Sequence, residues 1–486
     1  AKGKNALTLI DALAIAGGKE AKKVLRELMT DGSQEIRTAA ADAYLKCADA
    51  GELETLYDNK YPPHIKYAAL HRILEAAGGK AAPRMLELMA GQDHRAAEVA
   101  LGVIRSLDPG GRKVLVEGIG RLPNSMQATV LESLANLGEK AVLPLALTFA
   151  NSSDPEMRAA GLTALGRLGD ESVVGPLSQS LASAKDAAER GQTEQILANL
   201  AGGKETDKAL IAAMKKSAGD SRRTLISVLS RRNCHDAFSC LLAEISGNDS
   251  ATARTAFQAL GNIAAAEDAA VMVQQLADVK KGDVRGEAEN AVARTLARIE
   301  TPSARTSIIL PVLEKTADID ARCAVLRLLR TSGDIKALET VRTALQDKEQ
   351  RIRDTAIRTL GEWPDDSAWT VLDEVYRKPE KESHRVLALR GLVRMATGLP
   401  DKPNPRLVER CSQLMQSAEK DEDRKLIIGG LSNTRVPAAI KVITPFLSYP
   451  GVKTEAEMAI RRIAETIKRT HPRESREALE QLKKGT

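Results

Sequence analysis

The stretch DPEMRAAGLTALGRLGDESVVGPLSQSL, from Asp154 to Leu181, decides the fold because its apolar residues follow two consecutive helical periods. Leu162, Leu165 and Leu168 lie three residues apart, which gives a first helix one apolar side. Gly169 ends that helix. The apolar residues of a second helix are Val173, Val174, Leu177 and Leu181. Since neither helix can bury its apolar side alone, the hairpin must stack on copies of itself.

Copies of this hairpin follow one another along the chain. The central apolar residue of each first helix recurs at steps of 29 to 32 residues, at Leu13, Tyr44, Ile73, Ile104, Leu134, Leu165, Leu197, Leu229 and Leu260. The series continues with steps of 36, 33, 31 and 32 at Leu296, Leu329, Leu360 and Leu392, and is less regular near Leu431 and Ile460. We therefore predict an all-α superhelical solenoid of about 14 to 15 helical hairpins.

The composition agrees with thin, closely packed helices. Aromatic residues make up 2% of the chain and hydrophobic residues 43%, so alanine and branched aliphatic side chains supply most of the apolar content. A chain of 486 residues exceeds the roughly 250 to 300 residues at which single cores stop growing. The net charge of +6, from 71 basic and 65 acidic residues, does not indicate a dedicated nucleic-acid-binding protein.

A further pattern repeats at the turns that enter the first helices. An aspartate precedes an arginine by six residues, as in Asp31 with Arg37 and Asp347 with Arg353. Several first helices end like ALGRLGD at 164–170, and prolines such as Pro144 and Pro176 occur early in second helices. This pattern resembles HEAT repeats over nearly the whole chain. The resemblance implies a right-handed superhelix with a convex and a concave face, a ladder of hydrogen bonds between the aspartates and arginines, and no catalysis.

A second resemblance concerns the segments at 361–364 and 384–391, which are similar to HEAT segments of exported bacterial proteins. Some of those proteins carry sugar-active domains elsewhere in the chain. The sequence also starts at Ala1, with residues 5–16 already in register as a first helix, so we expect a fragment or a processed product. Together these observations favour an extracytoplasmic, periplasmic or secreted location over a cytoplasmic one.

One interruption of the repeat suggests a boundary. Three prolines, Pro400, Pro403 and Pro405, fall within six residues and lengthen the step to Leu431 to 39 residues. We therefore predict a HEAT-repeat solenoid over 1–397, a Pro-rich loop or bend over 398–406, and a helical continuation over 407–486.

Candidate chemistry is sparse in this sequence. Cys234, His235 and Cys240 form the one cluster of soft ligands, but a C-H-x4-C spacing lacks the four ligands of a structural zinc site. The six histidines form no metalloprotease spacing. Trp363 and Trp369 are expected in the core. We predict no catalytic residue, no metal site and no cofactor.

Charge at two helix positions is more informative. With Arg158 as position zero of its helix, offsets five and nine point away from the core and, by the HEAT resemblance, toward the concave face. In the N-terminal half these positions carry mixed residues. In the C-terminal half we find what we call the arginine strip: Arg294, Arg298, Arg327, Arg358, Arg390 and Arg394. Arginine binds carboxylates and phosphates bidentately, so the strip predicts a binding surface for anions. Alternatively, these arginines only solubilise the helices and pair with acidic residues of adjacent repeats.

Three functions follow from these features. The first is a non-enzymatic protein-protein interaction scaffold that binds an extended or acidic partner on its concave face. The second is nucleic-acid or other polyanion binding through the arginine strip, which requires a steep dependence of affinity on salt. The third is the solenoid portion of an exported sugar-active enzyme or complex.

Overall fold

The computed structural model describes residues 4–30, 33–58, 61–184, 186–398 and 405–484. Within these ranges the chain forms α-helices and short 3-10 segments and contains no strand. The contacts divide it into two compact units, Ala1–Arg232 and Asn233–Thr486. The α-helices number thirty in the described ranges, fifteen in each unit. The predicted all-α solenoid of helical hairpins is therefore confirmed.

Fifteen of the helices belong to the first unit. They are α1 (Lys4–Ala16), α2 (Lys19–Thr30), α3 (Gln34–Cys47), α4 (Ala50–Asp58), α5 (Pro63–Ala77), α6 (Ala82–Ala90), α7 (His94–Val103), α8 (Pro109–Gly118), α9 (Asn124–Asn136), α10 (Leu143–Ala150), α11 (Pro155–Leu168), α12 (Val174–Ser183), α13 (Ala187–Asn199), α14 (Lys204–Lys216) and α15 (Gly219–Arg231). The 3-10 segments of this unit are Gly78–Ala81, Ile104–Ser106, Ile119–Arg121, Lys140–Val142 and Glu171–Val173.

The other fifteen belong to the second unit. They are α16 (Phe238–Ile245), α17 (Ser250–Ile263), α18 (Ala269–Asp278), α19 (Gly282–Leu296), α20 (Pro302–Lys315), α21 (Ile319–Leu328), α22 (Ile335–Ala344), α23 (Gln350–Gly361), α24 (Trp369–Arg377), α25 (Glu382–Thr397), α26 (Pro405–Ser417), α27 (Asp421–Leu431), α28 (Pro437–Ile443), α29 (Lys453–Ile467) and α30 (Pro472–Lys484). The 3-10 segments of this unit are His235–Ala237, Ala266–Asp268, Leu329–Thr331, Asp366–Ala368 and Thr444–Ser448.

Each unit consists of two layers of helices. Successive odd-numbered helices pack on one another, as α9 does on α11 and α23 on α25, and we call them the odd layer. The even-numbered helices pack against the odd ones and form the even layer. The quoted hairpin shows why: Leu165 of α11 and Leu177 of α12 are fully buried, and the Asp154 side chain caps α11 by accepting from the amides of Glu156 and Met157.

Small residues allow the odd helices to lie close together. Gly361 at the end of α23 faces Gly391 of α25, and a Cβ atom on Gly391 would lie 2.7 Å from the Cα atom of Gly361. Such an approach is possible only without a side chain at position 391. The close contact holds the side chains of neighbouring odd helices in a fixed relation, which matters for the surface described below.

The predicted boundary at the Pro-rich segment is not where the contacts divide the chain. The division falls at 232/233, and α25 and α26, on either side of the Pro-rich segment, belong to one unit and pack together. Residues 399–404, which contain most of the predicted bend, lie outside the described residues. The bend itself stays a prediction. None of the described helices combines the length and apolar character that a membrane span requires.

Candidate interaction surface of the second unit

The arginines that enter the odd helices set the register of this surface. Arg285 donates to the carbonyl oxygen of Val279 at 2.7 Å, and Arg353 donates to that of Asp347 at 2.8 Å. The Asp347 carboxylate lies 3.2 Å from Arg322 of the preceding odd helix. The ladder implied by the HEAT resemblance is thus present here. Within a repeat, however, the arginine donates to the backbone carbonyl oxygen six residues earlier and not to a carboxylate. Asp31, the other aspartate of the predicted pattern, lies outside the described residues.

This ladder corrects the predicted register of α19. Arg285 is position zero of that helix, so offsets five and nine fall at Asn290 and Arg294. The prediction had aligned Leu296 with the central leucines and was therefore four residues late. Arg298 consequently lies beyond Leu296, the last residue of α19, and is no helix-surface position.

Two members of the arginine strip serve the stacking of repeats. Arg298 donates to the carbonyl oxygens of Gly261 at 3.0 Å and Asn262 at 2.8 Å, near the end of α17. Arg394 donates to the carbonyl oxygens of Gly361 and Trp363, the latter at 2.6 Å. Carbonyl groups at helix ends lack helical partners, so these arginines cap the preceding odd helix. Burial accordingly lowers the pKa of Arg394.

A third member is neutralised by a carboxylate of the neighbouring repeat. Arg327 of α21 donates through two nitrogens to the two carboxylate oxygens of Glu289 on α19, one of them at 2.8 Å. This hydrogen bond raises the pKa of Arg327. An adjacent repeat therefore binds each of Arg298, Arg327 and Arg394.

The remaining members are Arg294, Arg358 and Arg390. All three side chains are exposed, and within the described ranges no hydrogen bond or ion pair involves them. The corrected register explains why Arg358 and Arg390, the two of these arginines at offset five, have no ion pair. Arg327 contacts Glu289, which is at offset four of the preceding odd helix. For Arg358 and Arg390, offset four of the preceding odd helix is instead occupied by Leu326 and Ile357, respectively. Those aliphatic side chains cannot compensate a guanidinium charge.

Arg358 also lines a cleft of about 360 Å³ between α21 and α23. The other charged lining residues are Arg285, Arg327, Arg351, Asp320 and Asp354. The prediction missed Arg285 and Arg351. The signal was available in the seven-residue spacing of Arg351 and Arg358 on one helix face and of Asp320 and Arg327 on another.

A larger cleft of about 1240 Å³ opens in the even layer between α22 and α24. Its charges are mixed and largely satisfied internally. Arg342 lies 3.5 Å from Glu374 across it, and Arg353 donates to both carboxylate oxygens of Glu380 at 2.8 and 2.9 Å. The arginines of this cleft are therefore engaged by carboxylates, and Lys348 and Lys378 supply its remaining positive charge.

The soft-ligand cluster is used structurally. His235 Nε2 lies 2.9 Å from an Asp268 carboxylate oxygen, and Cys240 Sγ donates to the carbonyl oxygen of Ala237 at 3.0 Å. In the part of the chain that the structure describes, no group of three or more His, Cys, Asp or Glu side chains is arranged to hold a metal ion. Trp363 is fully buried, as predicted, whereas Trp369 is only half-buried and lies under the Arg410 guanidinium, 5.3 Å from the ring centre.

Comparisons with known proteins were made by sequence and by structure. Two segments, residues 112–198 and 306–393, match the family of HEAT repeats. No curated protein matches the chain by sequence. Solved structures with a similar arrangement include Kap121p, at 12% identity with a TM-score of 0.48, which covers 96% of this chain and 55% of Kap121p.

Two further structures resemble the chain to a similar extent. Kap95p with RanGDP matches at 12% identity with a TM-score of 0.47, over 96% of this chain and 70% of that one. The Kap95:Nup1 complex matches at 12% identity with a TM-score of 0.46, over 95% and 68%. The chain spans about half the length of Kap121p. One matched segment lies in each unit, and helices continue on both sides of each match, so the chain is an α-solenoid in which these two segments match HEAT repeats.

Proposed function

We propose that this protein is a non-enzymatic interaction scaffold that binds an acidic segment of a partner protein on the outer surface of the odd layer of the second unit. The observation that carries the proposal is the contrast within the arginine strip. Arg298, Arg327 and Arg394 are engaged by adjacent repeats, whereas Arg294, Arg358 and Arg390 are exposed and unpaired among the described residues. Guanidinium groups in this state are free to donate two parallel hydrogen bonds each to the carboxylates of a partner.

The geometry also limits the form of the partner. Arg358 and Arg390 occupy the same offset on the adjacent helices α23 and α25. Packed helices lie about 8 to 10 Å apart, and a polyproline II chain has three residues per turn and advances about 3.1 Å per residue. A segment that crosses these helices in that conformation therefore fits best when acidic residues recur at every third position, because those side chains lie on one side.

The test is a binding measurement with a peptide of this design. A fluorescein-labelled twelve-residue peptide carrying glutamate at every third position is titrated with the protein, and its anisotropy gives Kd. We expect the combined substitutions Arg294→Glu, Arg358→Glu and Arg390→Glu to weaken binding roughly tenfold to a hundredfold, since each exposed ion pair contributes about 0.2 to 1 kcal/mol and reversal adds repulsion.

A matched control keeps the same change of net charge. Lys23, Arg105 and Lys215 are exposed and belong to the first unit, and their combined replacement by glutamate is expected to change Kd less than threefold. Equal weakening by both triple variants would mean that the peptide responds to net charge alone and would refute the proposed surface. An unchanged Kd in the arginine variant would refute it as well.

The polyanion alternative uses the same arginines and is an outcome of the same assay. Duplex DNA that displaces the peptide with a higher affinity, and with a Kd that rises steeply with salt, would favour nucleic-acid binding over a protein partner. Few exposed aromatic side chains accompany the strip, which does not favour stacking on single-stranded bases. The sugar-active alternative and the extracytoplasmic location stay predictions from the resemblance to exported proteins.

A further inference from the structure

The cleft between α21 and α23 gathers guanidinium groups from three helices. Arg285 comes from α19, Arg327 from α21, and Arg351 and Arg358 from α23. Four guanidinium groups around a space of about 360 Å³ repel one another unless anions compensate them, and Glu289 already compensates Arg327. The nature of that compensation determines what the cleft can bind.

The carboxylates near the cleft are already committed. Asp320 pairs with Arg351 and lies 3.8 Å from Arg285. Asp354 lies 2.9 Å from Lys381 and 2.6 Å from His384, both outside the cleft lining. Neither aspartate is therefore left for Arg358.

Two arginines of the cleft keep unused hydrogen-bonding capacity. Arg358 is exposed and has no ion pair or hydrogen bond within the described ranges. The Nε atom of Arg285 is buried and likewise has no hydrogen-bond partner there. A buried donor without a partner carries a free-energy cost of about 1 to 3 kcal/mol.

We infer that this cleft binds the phosphate monoester of a phosphorylated side chain in the acidic partner segment, an inference that rests on the proposed function. A carboxylate is satisfied by the fork of one guanidinium group. A phosphate monoester carries a charge of about −1.5 to −2 at neutral pH and three strong acceptor oxygens. It therefore matches donors that converge from separate helices, and recognition of phosphorylated motifs by arginine clusters is an established mode of peptide binding.

The cleft and the exposed arginines without an ion pair together fit a single ligand. Arg358 belongs to both, and Arg390 lies on the next odd helix. The matching segment carries a phosphorylated residue at the cleft and an acidic residue about three positions away, as the polyproline II spacing above requires.

Three peptides test the inference. They share the glutamate pattern described above and differ at one central position, which holds phosphoserine, glutamate or serine. We expect the phosphoserine peptide to bind at least tenfold more tightly than the glutamate peptide. We also expect inorganic phosphate to displace the phosphoserine peptide and to leave the glutamate peptide bound.

Variants locate the preference. Arg351→Gln with Arg358→Gln is expected to reduce the phosphoserine preference to less than twofold, and Arg358→Lys to reduce it partly because the charge stays while the fork is lost. Arg390→Gln lies outside the cleft lining and is expected to weaken all three peptides by a similar factor and preserve the preference. Circular dichroism confirms that each exposed substitution leaves the helices intact.

The outcomes separate this inference from the proposed function. Equal affinities for the phosphoserine and glutamate peptides would overturn the phosphate site, while the loss of glutamate-peptide binding in the charge-reversed triple variant would uphold the interaction surface. Binding of none of the peptides would overturn both. A phosphoserine preference that survives Arg351→Gln with Arg358→Gln would place phosphate recognition elsewhere and would also overturn the site.

Discussion

Replacing Gly391 by alanine tests whether the close approach of α23 and α25 stabilises the odd layer. The added Cβ atom would lie 2.7 Å from the Cα atom of Gly361 and 2.9 Å from a methyl group of Leu372. Overpacking of this kind costs about 1 to 3 kcal/mol, and the better helix propensity of alanine returns at most about 1 kcal/mol. We expect a net destabilisation of about 1 to 2 kcal/mol.

Hydrogen exchange followed by mass spectrometry is the suitable assay, because repeat arrays open locally and a global unfolding curve mixes their repeats. A tenfold change of an equilibrium corresponds to about 1.4 kcal/mol, so exchange in α23 and α25 is expected to accelerate roughly 5-fold to 30-fold. Exchange in helices of the first unit is expected to stay unchanged.

Two glycines of the same unit provide controls. A Cβ atom on Gly361 would meet Gly391 at 3.4 Å, so Gly361→Ala is expected to be close to neutral. Gly429 in α27 faces open space, and Gly429→Ala is expected to slow exchange in that helix about 2-fold to 5-fold through helix propensity alone. If Gly391→Ala leaves exchange in α23 and α25 within twofold of the wild type, the reasoning about close approach is wrong.

Further predictions concern the charges that join the odd helices. Asp423 is buried and pairs with Arg385, so Asp423→Asn is expected to destabilise α25 and α27 by about 3 kcal/mol, measured as a roughly hundredfold faster hydrogen exchange. Hydrogen bonds from Arg385 and then Lys420 lower the pKa of Glu382 to about 2. Since this pKa is depressed, the contribution of Glu382 to stability is present above about pH 4.5 and is lost as the pH falls toward 2, with an NMR titration midpoint near 2. Arg394→Lys replaces two donors on separate nitrogens, which reach the two capped carbonyl groups, by a single ammonium group; it is expected to cost about 1 kcal/mol, seen as faster exchange at the end of α23.

Each of these has a contradicting result. Unchanged exchange in Asp423→Asn would mean that the buried pair contributes nothing. A titration midpoint of Glu382 near its ordinary value would show that the two cations do not hold its charge in solution. Identical exchange in Arg394→Lys and the wild type would remove the capping role of that arginine.

The repeat and its core were predictable because every hairpin has the same need to bury one apolar side of each helix. The spacing of Leu162, Leu165 and Leu168 fixed one apolar side, and the glycine after them fixed the helix end. Trp363 could be assigned to the core from its position three residues after Leu360. Local periodicity is sufficient for these inferences, since they involve no residue beyond the hairpin.

The state of the arginines could not be predicted because it depends on the residue opposite each of them. In α19 both Val292 and Leu296 are buried and four residues apart, so either suits the central position, and choosing Leu296 displaced the register. The displaced register hides the fact that Glu289 lies opposite Arg327, which is 38 residues away in sequence. The long step of 36 residues to Leu296 was the one signal of the error.

The most direct test of the interaction surface locates the bound peptide. A glutamate-patterned peptide with a photoreactive benzoylphenylalanine is cross-linked to the wild-type protein, and the adducts are mapped by mass spectrometry. We expect adducts on α23 and α25, close to Arg358 and Arg390, and their loss in the charge-reversed triple variant. Adducts confined to even helices, or an adduct pattern that is the same in the variant, would contradict the proposed surface.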